Sequence, residues 1–116
     1  MIIIISINKR VLEALKPLNV PVELQVYEGK EETYITFFEY LEQGENFSDD
    51  LEQVTGHYIQ VDLWSKGNLE SLKEEVLGLL IKNNFIKQSI TNLYEPDTKI
   101  FHKCLRFFFY EVKEED

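Results

Sequence analysis

The chain has 116 residues, a formal net charge of −9, 44% hydrophobic residues and one cysteine. This length predicts a single domain over residues 1–116, and the acidic balance argues against binding nucleic acid through clustered Lys and Arg. A lone cysteine cannot form an internal disulfide, and the opening run Met1–Ile5 is too short to span a bilayer or to act as a secretory signal. We therefore expect a cytoplasmic protein without a membrane segment.

The first predicted element is a short helix. Ser6 is a suitable N-cap, and Pro17 ends the helix because proline lacks the N–H that a further turn requires. The apolar face of this helix follows a spacing of three and four, and it comprises Ile7, Val11, Leu12 and Leu15.

Two strands follow the helix. Val22, Leu24 and Val26 alternate with polar residues, which is typical of a half-buried strand. Thr33 to Leu41 is rich in β-branched and aromatic residues, and Glu28–Glu31 separates the two runs as a turn. These features predict a hairpin in which the two strands pair antiparallel.

The next segment, Glu42 to Gln53, breaks the strand pattern, so we expect a long loop at a sheet edge. It belongs to a wider stretch, Glu28–Gln53, that holds nine acidic residues and one base, Lys30. A solvated charged surface is the favoured interpretation of this stretch. The alternative is a surface that repels a negative molecule or meets a basic partner.

A strand, a turn and a helix occupy His57 to Phe85. Ile59, Val61 and Leu63 alternate onto one face of the strand, which leaves Asp62 and Trp64 on the other. Lys66-Gly67-Asn68 is the turn, with Asn68 as the expected N-cap, and the core stripe of the helix is Leu69, Leu72, Val76, Leu79 and Leu80. The pattern leaves two alternatives open: Trp64 packs beneath a helix, or it lies on an uncovered interface.

Two final strands are expected at Ile86–Leu93 and Lys99–Val112, joined by a turn at Glu95–Thr98. The last strand is apolar on both faces, which is typical of a strand that is central or is covered on each face. The predicted fold is therefore α+β: a mostly antiparallel twisted sheet of about five strands with two helices, in the order α-β-β-loop-β-α-β-β.

Candidate chemistry in the sequence is weak, and we expect no catalytic, cofactor or metal site. Asp49, Asp50 and Glu52 could chelate a cation, but their spacing fits no established calcium loop. His57 and His102 lack a suitably spaced third zinc ligand. Cys104 and His102 share a strand face, yet the apolar surroundings of that strand disfavour a reactive thiolate. The turn at Ser65–Asn68 lacks the glycine pattern of a phosphate loop.

Several segments together carry a resemblance to a known family. In order they are Val20–Val22, Thr33–Phe37, Ser48–Asp50, Gln60–Asn68, Tyr94–Lys99, His102-Lys103 and Arg106-Phe107. In order and spacing, from about Val20 to Tyr110, the chain resembles the small head–tail joining proteins of long-tailed phages and prophages, of the tail-completion or tail-terminator type.

The resemblance implies a structural protein without catalysis. Members are expected to be a twisted sheet flanked by helices and to assemble into a ring, usually hexameric, at the head-proximal end of the tail. Such a ring ends tail growth and joins the tail tube to the capsid connector. The implied partners are therefore tail-tube and connector proteins and further copies of the chain, in the host cytoplasm and in the assembled particle.

The acidic balance fits such a ring, because like charge lets DNA pass through the bore without binding. The candidate interface residues are Glu45, Phe47, Asp49, Asp50, Glu52, Asp62 and Trp64. A protein-binding or regulatory module that recognises a basic partner through the acidic stretch is the alternative function. A small hydrolase that uses Cys104 and His102 ranks below both.

Overall fold

A computed structural model describes residues 5–45 and 53–113 of the chain. The opening run up to Ile4 lies outside these residues, as do Phe47, Asp49, Asp50 and Glu52. The elements are α1 (Ile7–Leu15), β1 (Val22–Leu24), β2 (Tyr34–Glu45), β3 (Gln53–Ser65), α2 (Glu70–Lys82), β4 (Ile86–Glu95) and β5 (Ile100–Lys113). The strands form one mixed, mostly antiparallel sheet in the order β1-β2-β3-β5-β4, which confirms the predicted α+β fold and the interior position of the last strand.

Helix α1 begins and ends where the sequence predicted. The backbone N–H of Lys9 donates to Ser6 Oγ at 3.2 Å, which satisfies one of the free donors of the first turn. The predicted apolar face was wrong at one position, because Leu12 is 44% exposed and Ala14 is buried instead. Helix α1 therefore packs against the sheet through a narrower apolar stripe than the pattern of its hydrophobic residues suggested.

Helix α2 begins two residues after the predicted cap. Its first residue is Glu70, and Leu69 occupies the N-cap position with its side chain buried. Asn68 still contributes, since its Oδ1 accepts the N–H of Glu70 at 2.7 Å. The helix ends at Lys82, and Asn84 shortly after it has a φ of 72°, which is a left-handed stop.

The predicted hairpin of β1 and β2 was wrong. The two strands pair in parallel, with Val22 opposite Ile35 and Leu24 opposite Phe37. The strand ends at Leu24, Gln25 adopts a left-handed φ of 69°, and residues 25–33 connect β1 to the start of its parallel neighbour. The alternating pattern through Val26 concealed this reversal.

The predicted loop at Glu42–Gln53 was too long. The antiparallel pair of β2 and β3 continues through Glu42 opposite His57, Gly44 opposite Thr55 and Glu45 opposite Val54. Backbone hydrogen bonds hold these pairs, and they form whether or not the side chains are apolar. Polarity alone was therefore a poor guide to the end of the strand.

Both helices contribute to one core, on one face of the sheet. Residues with less than 2% exposure come from β2, β3, β5 and both helices, and they comprise Val11, Leu15, Ile35, Phe37, Ile59, Val61, Leu63, Val76, Leu80, Leu105 and Phe107. We call this the covered face and the opposite side the open face. Within residues 5–45 and 53–113, no helix is long and apolar enough to cross a membrane.

Candidate interaction surface

The open face carries both of the predicted interface candidates that lie on β3. Asp62 and Trp64 alternate with the core residues Val61 and Leu63, so they point away from the covered face. This placement answers the question left open by the sequence: Trp64 does not pack beneath a helix. Trp64 is partly buried all the same, because its neighbours on the sheet cover it.

Four rings cross the open face as a ladder. Trp64 stacks on His102 with ring centroids 3.8 Å apart and planes 10° apart. On its other side Trp64 lies 6.1 Å from Tyr34, and Tyr34 in turn stacks on Tyr27 at 4.5 Å. The cross-strand register produces this order, since Trp64 is opposite Tyr34 on β2 and His102 on β5.

A polar network runs beside this ladder and centres on Asp62, which is 4% exposed. His102 Nε2 donates to Asp62 Oδ1 at 2.7 Å, and Gln60 Nε2 donates to both carboxylate oxygens at 3.0 Å. Arg106 Nε donates to Gln60 Oε1 at 3.3 Å and so extends the network along β5. The buried Asp62 carboxylate is therefore paired, as a buried charge must be.

The ladder also makes a hydrogen bond to β2. Trp64 Nε1 donates to Thr36 Oγ1 at 3.0 Å, and Thr36 is buried. Most of the polar contacts named on this face link neighbouring strands, and the contact of Gln60 with Asp62 links two positions on β3. The open face is therefore an ordered surface rather than a collection of solvated side chains.

Cys104 lies between these groups and does not have the properties of a nucleophile. Burial raises the pKa of the Cys104 thiol, and the neighbouring Asp62 carboxylate raises this pKa further. A raised pKa keeps the sulfur protonated, and the thiolate is the reactive form. This environment agrees with the low rank given to the hydrolase hypothesis.

Exposed aromatic side chains extend the open face toward the far end of β5. Tyr40 is 39% exposed and Tyr110 is 44% exposed. The guanidinium of Arg106 lies 4.9 Å from the ring centroid of Tyr40, and Phe108 contacts Tyr110 edge to face at 4.2 Å. Tyrosine and arginine are the residue types enriched in protein–protein interfaces.

The acidic candidates lie apart from Asp62 and Trp64. Glu45 ends β2 opposite Val54, at the end of β3 farthest from Trp64. At about 3.3 Å of rise per residue, Val54 and Trp64 are about 33 Å apart along the strand. Phe47, Asp49, Asp50 and Glu52 fall outside the described residues. The structure thus does not bring the predicted candidates into one patch, and their roles at an interface stay predictions.

Sequence reasoning missed most of the open face. It did not assign an interface role to Tyr34, Thr36, Arg106 or Tyr110, and it considered His102 only as a weak metal ligand or base. The alternation His102, Cys104 and Arg106 along β5 was a usable signal. The sequence does not show which strands are neighbours or in what register they pair. The contacts of the network could therefore not be predicted.

The turn before α2 is a structural feature, as predicted. The N–H of Gly67 donates to Ser65 Oγ at 3.0 Å. Glu70, at the start of α2, accepts from Lys103 at 2.8 Å and from Lys73 at 2.7 Å. These two ammonium groups lower the pKa of Glu70 to about 2, and Lys103 makes the larger contribution.

The chain resembles known proteins in its fold. No protein-family model and no curated protein matches the chain. Among solved structures, it is similar to a chain in the virion of a native gene transfer agent particle, with a TM-score of 0.67 and 11% identity over 93% of this chain and 96% of that one.

A second similar structure is the sheath/tube terminator of PVC, an extracellular contractile injection system, in its extended state. The TM-score is 0.53 at 10% identity, over 99% of this chain and 60% of that one. This chain thus spans about 60% of the length of that terminator. At these identities the likeness concerns the fold, and it confirms the twisted sheet with helices that the sequence resemblance implied.

Proposed function

We propose that this chain is a structural assembly protein that terminates the tail tube of a phage or phage-like particle. In this role it assembles into a ring and joins the tube to the connector of the head. The observation that carries the proposal is the match to a virion chain over nearly the full length of both chains, at a TM-score of 0.67. The fold likeness to a sheath/tube terminator supports the same assignment independently.

The open face supports an assembly role. A sheet face covered by one layer of helices leaves its other side available for a neighbour, and here that side holds Tyr40, Tyr110 and Arg106 around a fixed polar network. The buried pairing of Asp62 holds Gln60 and His102 in place. Asp62 therefore acts through its neighbours, and Trp64 and the tyrosines supply the contact area.

The acidic stretch gives the ring a second surface. Glu28, Glu31, Glu32 and Glu42 are exposed in the described part of it. In a ring these carboxylates, together with Asp49 and Asp50, repel DNA that passes through the bore, since like charges are unfavourable at short range. We propose no catalytic step for any residue of the chain.

Asp49→Lys combined with Asp50→Lys tests the proposal. The double variant reverses charge in the acidic stretch, so we expect fewer complete particles while the isolated chain keeps its circular dichroism spectrum and melting temperature. Particles are counted by electron microscopy after expression of the full gene cluster. Normal numbers of complete particles from a folded double variant would contradict the proposed role of this stretch.

A pull-down from host lysate distinguishes the alternative function. A stable complex with a basic host protein, lost in the same double variant, favours the regulatory module. Tail-tube or connector protein in the complex favours the terminator. Rings in electron micrographs of the concentrated protein support the terminator as well.

A further inference from the structure

A buried histidine lies among three carboxylates on the covered face, beyond the last core residues of β3 and β5. His57 Nδ1 contacts Glu39 Oε2 and lies 3.8 Å from Glu42 Oε1. His57 Nε2 lies 3.3 Å from Glu111 Oε1. The side chain of His57 is 7% exposed, whereas that of Glu42 is 61% exposed, so the cluster opens to solvent on one side.

A β-bulge in β2 brings two of these carboxylates together. The register with β3 shifts between Glu39 and Leu41, so Tyr40 is the extra residue. In a strand without a bulge, Glu39 and Glu42 would point to opposite faces of the sheet, because they are three residues apart and side chains alternate along a strand. Bulges are common where a strand must redirect a functional side chain.

The charges of the cluster call for a cation. A neutral imidazole has one N–H and one lone pair, so it can donate to only one of the carboxylates that face its two nitrogens. If Nε2 donates to Glu111, the lone pair of Nδ1 faces Glu39 and Glu42. A cation placed among Nδ1 and these two carboxylates converts the repulsion into coordination.

We propose that Glu39, Glu42 and His57 bind a divalent first-row transition-metal ion. Their three donor atoms lie within 4.8 Å of one another. In the metal-bound form, rotation of the glutamate side chains would bring these atoms to the bond lengths of about 2.0–2.2 Å that zinc takes with nitrogen and carboxylate ligands. The imidazole favours such an ion over Mg²⁺ or Ca²⁺, which prefer oxygen ligands throughout.

Glu111 completes the arrangement as a positioning residue. Its carboxylate accepts from the ring nitrogen opposite the metal, which fixes the tautomer and the orientation of the imidazole. The ion would then join β2 and β3 directly and β5 through Glu111. This junction lies where the hydrophobic core ends at Ile59 and Phe109 and the paired strands continue toward Glu45 and Gln53.

Titration of the chelator-treated full chain with zinc chloride, by isothermal calorimetry, tests the site. We expect one Zn²⁺ per chain, no binding of Mg²⁺ at the same concentrations, and a higher melting temperature with zinc. Glu42→Gln should weaken zinc binding at least ten-fold, because it removes one charged ligand from a solvent-exposed position. Glu111→Gln should weaken binding about 10- to 100-fold through the orientation of the ring.

Two control variants make the test specific. Glu75→Gln removes an exposed carboxylate on α2, and His102→Gln removes the other histidine of the chain; both should bind zinc as the wild type does. Amide hydrogen exchange at residues 41–45 and 53–57 should slow with zinc in the wild type and not in Glu42→Gln. The site is refuted if the wild type binds no zinc, if Glu42→Gln binds as tightly, or if His102→Gln abolishes binding.

Discussion

The two faces of the sheet are built from the same strands and differ in what they hold. The covered face holds the apolar core beneath α1 and α2, with Phe37, Val61 and Phe107 fully buried. The open face holds the aromatic ladder and the network around Asp62, and its hydrogen bonds link β2, β3 and β5. The covered face therefore supplies most of the stability of the fold, and we propose the open face as the surface for a partner.

The largest expected effect is on the covered face. Phe107→Ala should lower the free energy of unfolding by about 3–5 kcal/mol, because it leaves a cavity in a fully packed core. Phe101 lies on the same face of β5 but is 45% exposed, so Phe101→Ala should cost about 1 kcal/mol or less. Urea unfolding of both variants measures the difference, and equal losses would contradict the assignment of the core.

An intermediate effect is expected in the polar network. Asp62→Ala leaves the donors of His102 and Gln60 without their acceptor and should cost about 1–3 kcal/mol. In a double-mutant cycle with His102→Ala, the two losses should be non-additive by about 0.5–3 kcal/mol, since the residues share one hydrogen bond. Additive losses would mean that the Asp62–His102 contact contributes nothing to stability.

The smallest effect is expected at Glu70, where stability should depend on pH. Lys103 and Lys73 hold the folded pKa of Glu70 at about 2, below the unfolded value of about 4.3. A lowered folded pKa contributes stability above the unfolded pKa, and this contribution is lost as pH falls toward 2. Glu70→Gln should therefore unfold slightly more easily at pH 7 and match the wild type near pH 2. A gap in melting temperature that stays constant across this range would contradict the ion pairs.

The sequence predicted the covered face well because that face obeys simple periodicities. The alternation of Ile59, Val61 and Leu63 and the cap at Ser6 each depend on nearby residues alone. The parallel pairing of β1 with β2 could not be predicted in this way, since the left-handed Gln25 and the return of residues 25–33 depend on tertiary packing.

The candidate surface was predicted only in part, for a related reason. Asp62 and Trp64 were assigned to the correct face from alternation. Their partners His102 and Thr36 come from strands 40 and 28 residues away in sequence, and only the register brings them together. The bulge at Tyr40 is equally invisible in the sequence, so the cluster around His57 was not predicted.

The most direct test of the account is particle assembly with an altered open face. Cells that lack this gene are supplied with the wild type, with Tyr40→Ala/Tyr110→Ala, or with Leu12→Ala on α1, where Leu12 matches Tyr110 at 44% exposure. Electron microscopy then counts tails joined to heads. We expect joined particles with the wild type and with Leu12→Ala, and unjoined heads and tails with the folded double variant. Joined particles at wild-type numbers from that double variant would contradict it.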